Sequence, residues 1–167
     1  MRELATALGV SPMTPYRYFK DKGAILAAVR ARGFNRHADV LEQAYAETKG
    51  DVAQRAQAVG RAYVRFAFDN PEAYKLMFDI SQPDEGDYPG LMEAAERSRR
   101  TMTRHLEEMA DVGRLAGDPF LIGHIYWAAI HGPLMLHFSH KLPPRYEARR
   151  LIGKLVEVLN GHFFGAA

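Results

Sequence analysis

Nowhere along the 167 residues do apolar and polar side chains alternate for the length of a strand, and nearly every stretch between breakers carries the periodicity of a helix. Gly, Pro, Asp and Asn divide the chain into at most nine helical segments, with no internal repeat and no low-complexity tract. The pattern predicts an all-α protein. Residues 2–8 form a short helix ended by Gly9, which enters the left-handed region cheaply. Ser11 caps a second short helix that Pro12 opens and that reaches Phe19. Asp21 caps a long helix from Lys22 to about Lys49, and Asp51 with Gln54 has the spacing of a capping box for a helix to Asp69. Asn70-Pro71 starts a helix through Ile80, and Gln82 to Gly90 is a loop. Leu91 to Val112 is helical up to Gly113, and Asp118-Pro119 opens a helix to about His140 that Pro133 kinks. After the connector Leu142-Pro143-Pro144, the last helix runs from Tyr146 to Phe164.

Apolar residues make up 47% of the chain, enough to bury a core, yet no apolar run approaches the roughly 18 residues of a membrane span. The start, MRELATALGV, has no apolar signal region, and cysteine is absent, so a cytoplasmic protein is the default expectation. Chemistry is not written here either. There is no Cys nucleophile, no phosphate-binding Gly loop and no Ser/His/Asp order with supporting turns. Glu107-Glu108 and Asp84-Glu85 are adjacent in sequence and diverge from a helix or loop. His124 and His131 share a helical face and His137 and His140 are one turn apart, but none has a carboxylate at i+3 or i+4 to complete a metal site. The expectation is a protein that is not an enzyme and holds neither cofactor nor metal.

The net charge of +2 is unevenly placed: Arg2, Arg17, Lys20, Lys22, Arg30, Arg32 and Arg36 face only Glu3 and Asp21 in the first 36 residues, and the remainder is acidic on balance. A basic end on an acidic body suits a nucleic-acid binder. Two short helices separated by Gly9-Val10 also have helix-turn-helix spacing. Leu4, Ala5, Leu8, Val10, Pro15 and Phe19 supply a small core between them. Pro12, Met13, Thr14, Tyr16, Arg17 and Tyr18 then lie on or near the outer face of the second helix, where side chains and free amides meet base edges and phosphates.

The run RELATALGVSPMTPYRYFKDKGAILAAV resembles the DNA-reading signature of TetR-family transcriptional regulators: Ala5 and Gly9-Val10-Ser11 around the turn, Tyr16-x-Tyr18-Phe19 closing the recognition helix, and Lys22 opening the next. The resemblance implies that Tyr16 and Lys22 hold phosphates and that Met13, Thr14 and Arg17 face bases or backbone. Family members carry one more helix before the residue equivalent to Arg2, so the resemblance covers a reader without its first helix. Asn70-Pro-x-x-Tyr74-x-x-Met77-Phe78 with Trp127-x-x-x-His131-Gly132 resembles the C-terminal domain of a TetR subclass marked by a Trp/His-Gly motif.

Two further surfaces are expected. Tyr63, Phe66, Tyr74, Met77, Phe78, Met102, Trp127 and His131 belong to an aromatic and Met-rich set that serves as core, as the lining of an apolar ligand pocket, or as both. His131 can also hydrogen-bond the carbonyl that Pro133 frees. Leu121, Ile125, Ala128, Ala129, Gly132 and Leu136, then Leu151, Leu155, Val158, Leu159 and His162, form helical stripes with small residues that admit another helix. In the family, such helices pair with their copies as a four-helix dimer interface. Residues 1–49 are thus expected to be a partial helix-turn-helix domain with its connecting helix, and residues 50–167 a ligand-binding and dimerisation domain. The function implied is a homodimeric repressor, released from a palindromic operator by a small apolar molecule, with recognition helices roughly 34–36 Å apart. The competing reading is a helical small-molecule-binding or dimerisation protein that has lost DNA binding with its first helix.

Overall fold

A computed structural model describes residues 6–7, 9–11, 13–78, 85–115 and 117–164. These form six α-helices, α1 (Lys22–Glu47), α2 (Val52–Asp69), α3 (Pro71–Met77), α4 (Pro89–Asp111), α5 (Pro119–Phe138) and α6 (Ala148–Phe163), with 3-10 turns at Pro15–Arg17 and Glu85–Asp87. Among the described residues there is no strand, as the periodicity requires. Among the described residues no helix is long and apolar enough to cross a membrane.

Local chemistry explains most boundaries. The Asp21 carboxylate accepts the Ala24 amide at 2.7 Å and so opens α1. At α2 the Gln54 amide donates to Asp51 and the Asp51 amide to the Gln54 side chain, each at 2.9 Å, which completes the capping box. Helix α4 ends where Gly113 takes a positive φ of 70°, letting the Arg114 amide reach back to the Met109 carbonyl at 2.8 Å. Helix α5 closes the same way through Lys141 and Leu136, but there His140 occupies the left-handed position at φ 53°.

The second short helix differs from the expectation. Ser11 does cap, through the Met13 amide at 3.3 Å, yet regular structure is confined to the 3-10 turn Pro15–Arg17. Pro15 has no N–H to bond the Ser11 carbonyl, so that carbonyl takes the Thr14 amide at 2.9 Å and the winding tightens. Of the expected core of this reader, Leu4, Ala5 and Leu8 lie outside the described residues, as do most of the first helix and the segment 79–84.

Helix α1 packs along α2, α3 and α4, and α5 lies between α4 and α6. One core cluster joins Phe34, Leu41, Tyr63, Phe66, Tyr74, Met77, Leu91 and Leu134, and a smaller one joins Leu106, Met109, Leu115 and Ile122. Two glycines permit close approaches between helices. A Cβ on Gly33 would stand 2.9 Å from Met77 Cγ, and one on Gly123 would stand 2.9 Å from Thr103 Cγ2. The first brings α3 onto α1, the second α5 onto α4.

Candidate functional site

A cleft of about 1480 Å³ opens between α2 and α6, with α4 and α5 as its floor. It exceeds the few hundred to about 1,000 Å³ usual for ligand sites because it is open on one side. Helix α6 presents Ile152, Val156, Asn160 and Phe163 to it, at the one-turn spacing of a single helical face. The floor is apolar, with Met102, Leu106, Met109 and Ile130. Over this floor the Tyr126 hydroxyl donates to Asn160 Oδ1 at 2.6 Å, and burial pushes its pKa up to about 12. Burial also holds His105 down at about 4, against the opposite pull of Glu108 and the Thr101 carbonyl, so its ring is neutral at pH 7.

A chain of hydrogen bonds leads inward from the cleft wall. The Trp127 indole N–H donates to the Tyr63 hydroxyl at 3.0 Å, the Tyr63 and Tyr74 hydroxyls are 2.7 Å apart, and Tyr74 lies 2.7 Å from His131 Nδ1. An indole only donates, so the order that satisfies each member runs from Trp127 to Tyr63 to Tyr74 to a neutral His131 accepting at Nδ1. Burial raises both tyrosines well above the ordinary phenol range and lowers His131, which keeps the chain uncharged. His131 therefore uses its ring on Tyr74; its expected bond to the carbonyl freed by Pro133 is not the one it makes.

The expected pocket residues divide between wall and core. Met102 and Trp127 line the cleft, Phe66, Tyr74 and Met77 are core residues, and the buried Tyr63 belongs to both. Phe78 and His131 lie just behind the wall, their rings 4.6 Å apart and Phe78 5.9 Å from Trp127. The stripe expected to meet a partner copy is left open. Leu121, Ala128, Leu136, Val158 and His162 are exposed, and Ile125, Ala129, Gly132, Leu151, Leu155 and Leu159 are half-buried. A Cβ on Gly132 would meet nothing within 4 Å. In the N-terminal segment Ser11, Met13, Tyr16, Arg17, Tyr18 and Lys22 are exposed and Thr14 is half-buried, while Pro12 falls outside the described residues.

Residues 56–159 match the family model of the tetracyclin repressor-like C-terminal domain. The chain belongs to this tetracyclin repressor-like family. The matched span runs from α2 into the last turns of α6 and so contains most of the cleft wall and most of the open stripe. No curated protein matches the chain. Among solved structures, a protein of unknown function from Rhodococcus sp. RHA1 is 27% identical, with a TM-score of 0.81 over 98% of this chain and 84% of that one. A candidate TetR-family transcriptional regulator from Mesorhizobium loti MAFF303099 is 19% identical, with a TM-score of 0.67 over 98% of this chain and 85% of its own. Another from Shewanella sp. PV-4 is 16% identical, with a TM-score of 0.63 over 95% and 84% of the two chains. The last two likenesses speak for the fold alone.

Some residues of the tetracyclin repressor-like chain escape a reading by pattern. His105 and Asn160 in the cleft have only helical spacing to mark them, as do Arg61, Arg65 and Arg149 at its edge. Among the described residues no group of three His, Asp or Glu side chains could hold a metal ion. His124 instead bonds its own helix, at the Phe120 carbonyl 2.8 Å away.

Proposed function

We propose that the protein is a homodimeric, DNA-binding transcriptional repressor whose affinity for a palindromic operator falls when a small molecule occupies the cleft. The observation that carries this reading is the direct connection between cleft and reader through α3 and α1. Tyr63 and Trp127, on the cleft wall, contact Tyr74 and Phe78. Phe78 meets Phe34 of α1 edge-on at 5.6 Å, and Met77 fills the notch at Gly33. Arg30 of α1, itself buried, donates to the Met77 carbonyl at 3.1 Å and pairs with Glu85 at 3.6 Å. Helix α1 in turn begins at Asp21 and Lys22, directly after the exposed segment 13–18. A ligand that binds two positions of α3 differently shifts α1 and with it the spacing of two readers.

By role, residues 1–49 then serve as reader and lever and residues 50–167 as sensor and dimerisation body. Tyr16 and Lys22 hold phosphates; Ser11, Pro12, Met13, Thr14, Arg17 and Tyr18 meet backbone and base edges. Titration of duplex DNA from the chain's own upstream region at several salt concentrations tests this assignment. Lys22→Ala is expected to lower the slope of log affinity against log salt by about one unit while leaving sequence preference intact. An unchanged slope removes Lys22 from the interface, and absence of binding by the unsubstituted chain overturns the DNA-reading function.

A further inference from the structure

We propose that the ligand of the α2/α6 cleft is an amphipathic anion, with its acidic head group at the arginines of the cleft mouth and its hydrocarbon tail on the apolar floor. This rests on the reading of the cleft as the effector site and adds the chemical class of the effector. Arg61 and Arg65 stand one turn apart on the cleft wall of α2, both exposed, and among the described residues neither forms an ion pair or a side-chain hydrogen bond. Arg149 reaches the same cleft from α6, its guanidinium stacked 4.1 Å from the Phe68 ring centroid. Stacking occupies the face of the guanidinium and leaves its N–H edge for an acceptor. Asp69, at the end of α2, is the one carboxylate among the described lining residues on this side.

Among the described residues the other end of the cleft offers an anion no free cation. Arg114 there pairs with Asp51 at 3.6 Å, and Glu47 accepts from Gln43 at 2.8 Å. The interior offers no charge to a head group, since burial keeps His105 and Tyr126 neutral near pH 7. A cationic ligand would meet three arginines at the mouth and no buried carboxylate inside. A neutral apolar ligand would leave their fork-shaped donors unused, whereas a carboxylate or phosphate accepts them in pairs. The lining runs from Ala53 to Asp69 along α2, about 24 Å of helix, which accommodates an extended tail better than a compact ring.

Trp127 is the only tryptophan and lines the cleft, so its fluorescence reports occupancy. Decanoate, decanol and decyltrimethylammonium share a tail and differ in head charge; acetate supplies the head alone. Decanoate is expected to change Trp127 emission saturably and to bind about tenfold more tightly than decanol, with decyltrimethylammonium and acetate weaker still. Arg61→Gln with Arg65→Gln, checked for unchanged helicity and melting, is expected to weaken decanoate about tenfold and leave decanol unaffected. If decanol or the cation binds as tightly as decanoate, or if the double substitution changes nothing, the anionic class is overturned while the cleft remains a ligand site. If acetate binds as well as decanoate, the tail is overturned. If no probe alters Trp127, the cleft reading falls as well.

Discussion

Fully enclosed between α2 and α4, His37 shares one hydrogen bond with Ser98 at 2.8 Å, while its Nε2 has no partner and its ring lies near-perpendicular to Tyr63 and Phe66. A proton on this ring would be a buried unpaired charge, and burial holds the pKa at about 4. Both His37 and His105 are thus depressed from 6.5 in the folded state, so the unfolded chain binds protons that the folded chain refuses. Their contribution is intact above about pH 6.5 and is lost as the pH falls toward 4. Near pH 5 the two together are expected to cost about 2 kcal/mol of stability per pH unit, and His105→Gln to halve that slope. Denaturant midpoints between pH 7 and pH 4.5 check this, and equal slopes in both proteins refute it. Arg30 makes the complementary point. Its charge counts toward the basic first 36 residues in sequence, but the folded chain turns it inward to the Met77 carbonyl and Glu85, away from any phosphate. Glu85 also receives Arg99 at 3.0 Å, so one carboxylate ties α1 to α4.

Helix ends were the most legible elements, because Asp21, Asp51, Asp118 and Gly113 act through neighbours two to five residues away. The segment after Ser11 was less so. Its cap is local, but two prolines in four residues decide between α and 3-10 winding, and the propensity of Pro12 for a first helical turn hides the deficit at Pro15. Glycines inside helices are not legible at all. Gly33 and Gly60 both look like weak points of a helix, where Ala is worth up to about 1 kcal/mol more. A Cβ at Gly60 meets nothing within 4 Å, so Gly60→Ala is expected to raise stability by about 0.5–1 kcal/mol. At Gly33 it would meet Met77 Cγ and Sδ at 2.9 and 3.0 Å, and Met77 is itself enclosed. Gly33→Ala is expected to lower stability by about 1–2 kcal/mol, since overpacking exceeds the gain in propensity. Urea unfolding of the pair gives opposite signs if the approach of α3 to α1 is as close as described, and the same sign if it is not. Helix α6 shows how much a stripe conceals: Ile152, Val156 and Phe163 face the cleft, while Leu151, Leu155 and Val158 lie roughly 110° around the helix.

For the whole molecule, that second face of α6 and the outer face of α5 leave an apolar surface with Leu121, Leu136 and Val158 about half exposed. The proposed homodimer would cover this patch, and an obligate dimer typically buries on the order of 2,000 Å² or more. Leu155→Glu is expected to dissociate the dimer, because an unpaired charge buried at its centre costs several kcal/mol, and to abolish operator binding while helicity is kept. Sedimentation checks it: an unsubstituted chain that stays near 18.8 kDa at micromolar concentration removes the dimer and with it any mechanism based on reader spacing. The sequence by itself determined the six α-helices and most of their caps, since these depend on residues within a turn or two of one another. Tertiary structure alone decided that Phe66, Tyr74 and Met77 are core, that Tyr63 joins this core to the Trp127 wall, and that Arg61, Arg65 and Arg149 line one cleft. Those groups lie on different helices, up to 88 residues apart in sequence between Arg61 and Arg149. Their juxtaposition depends on how the helices pack, a geometry that no local periodicity encodes.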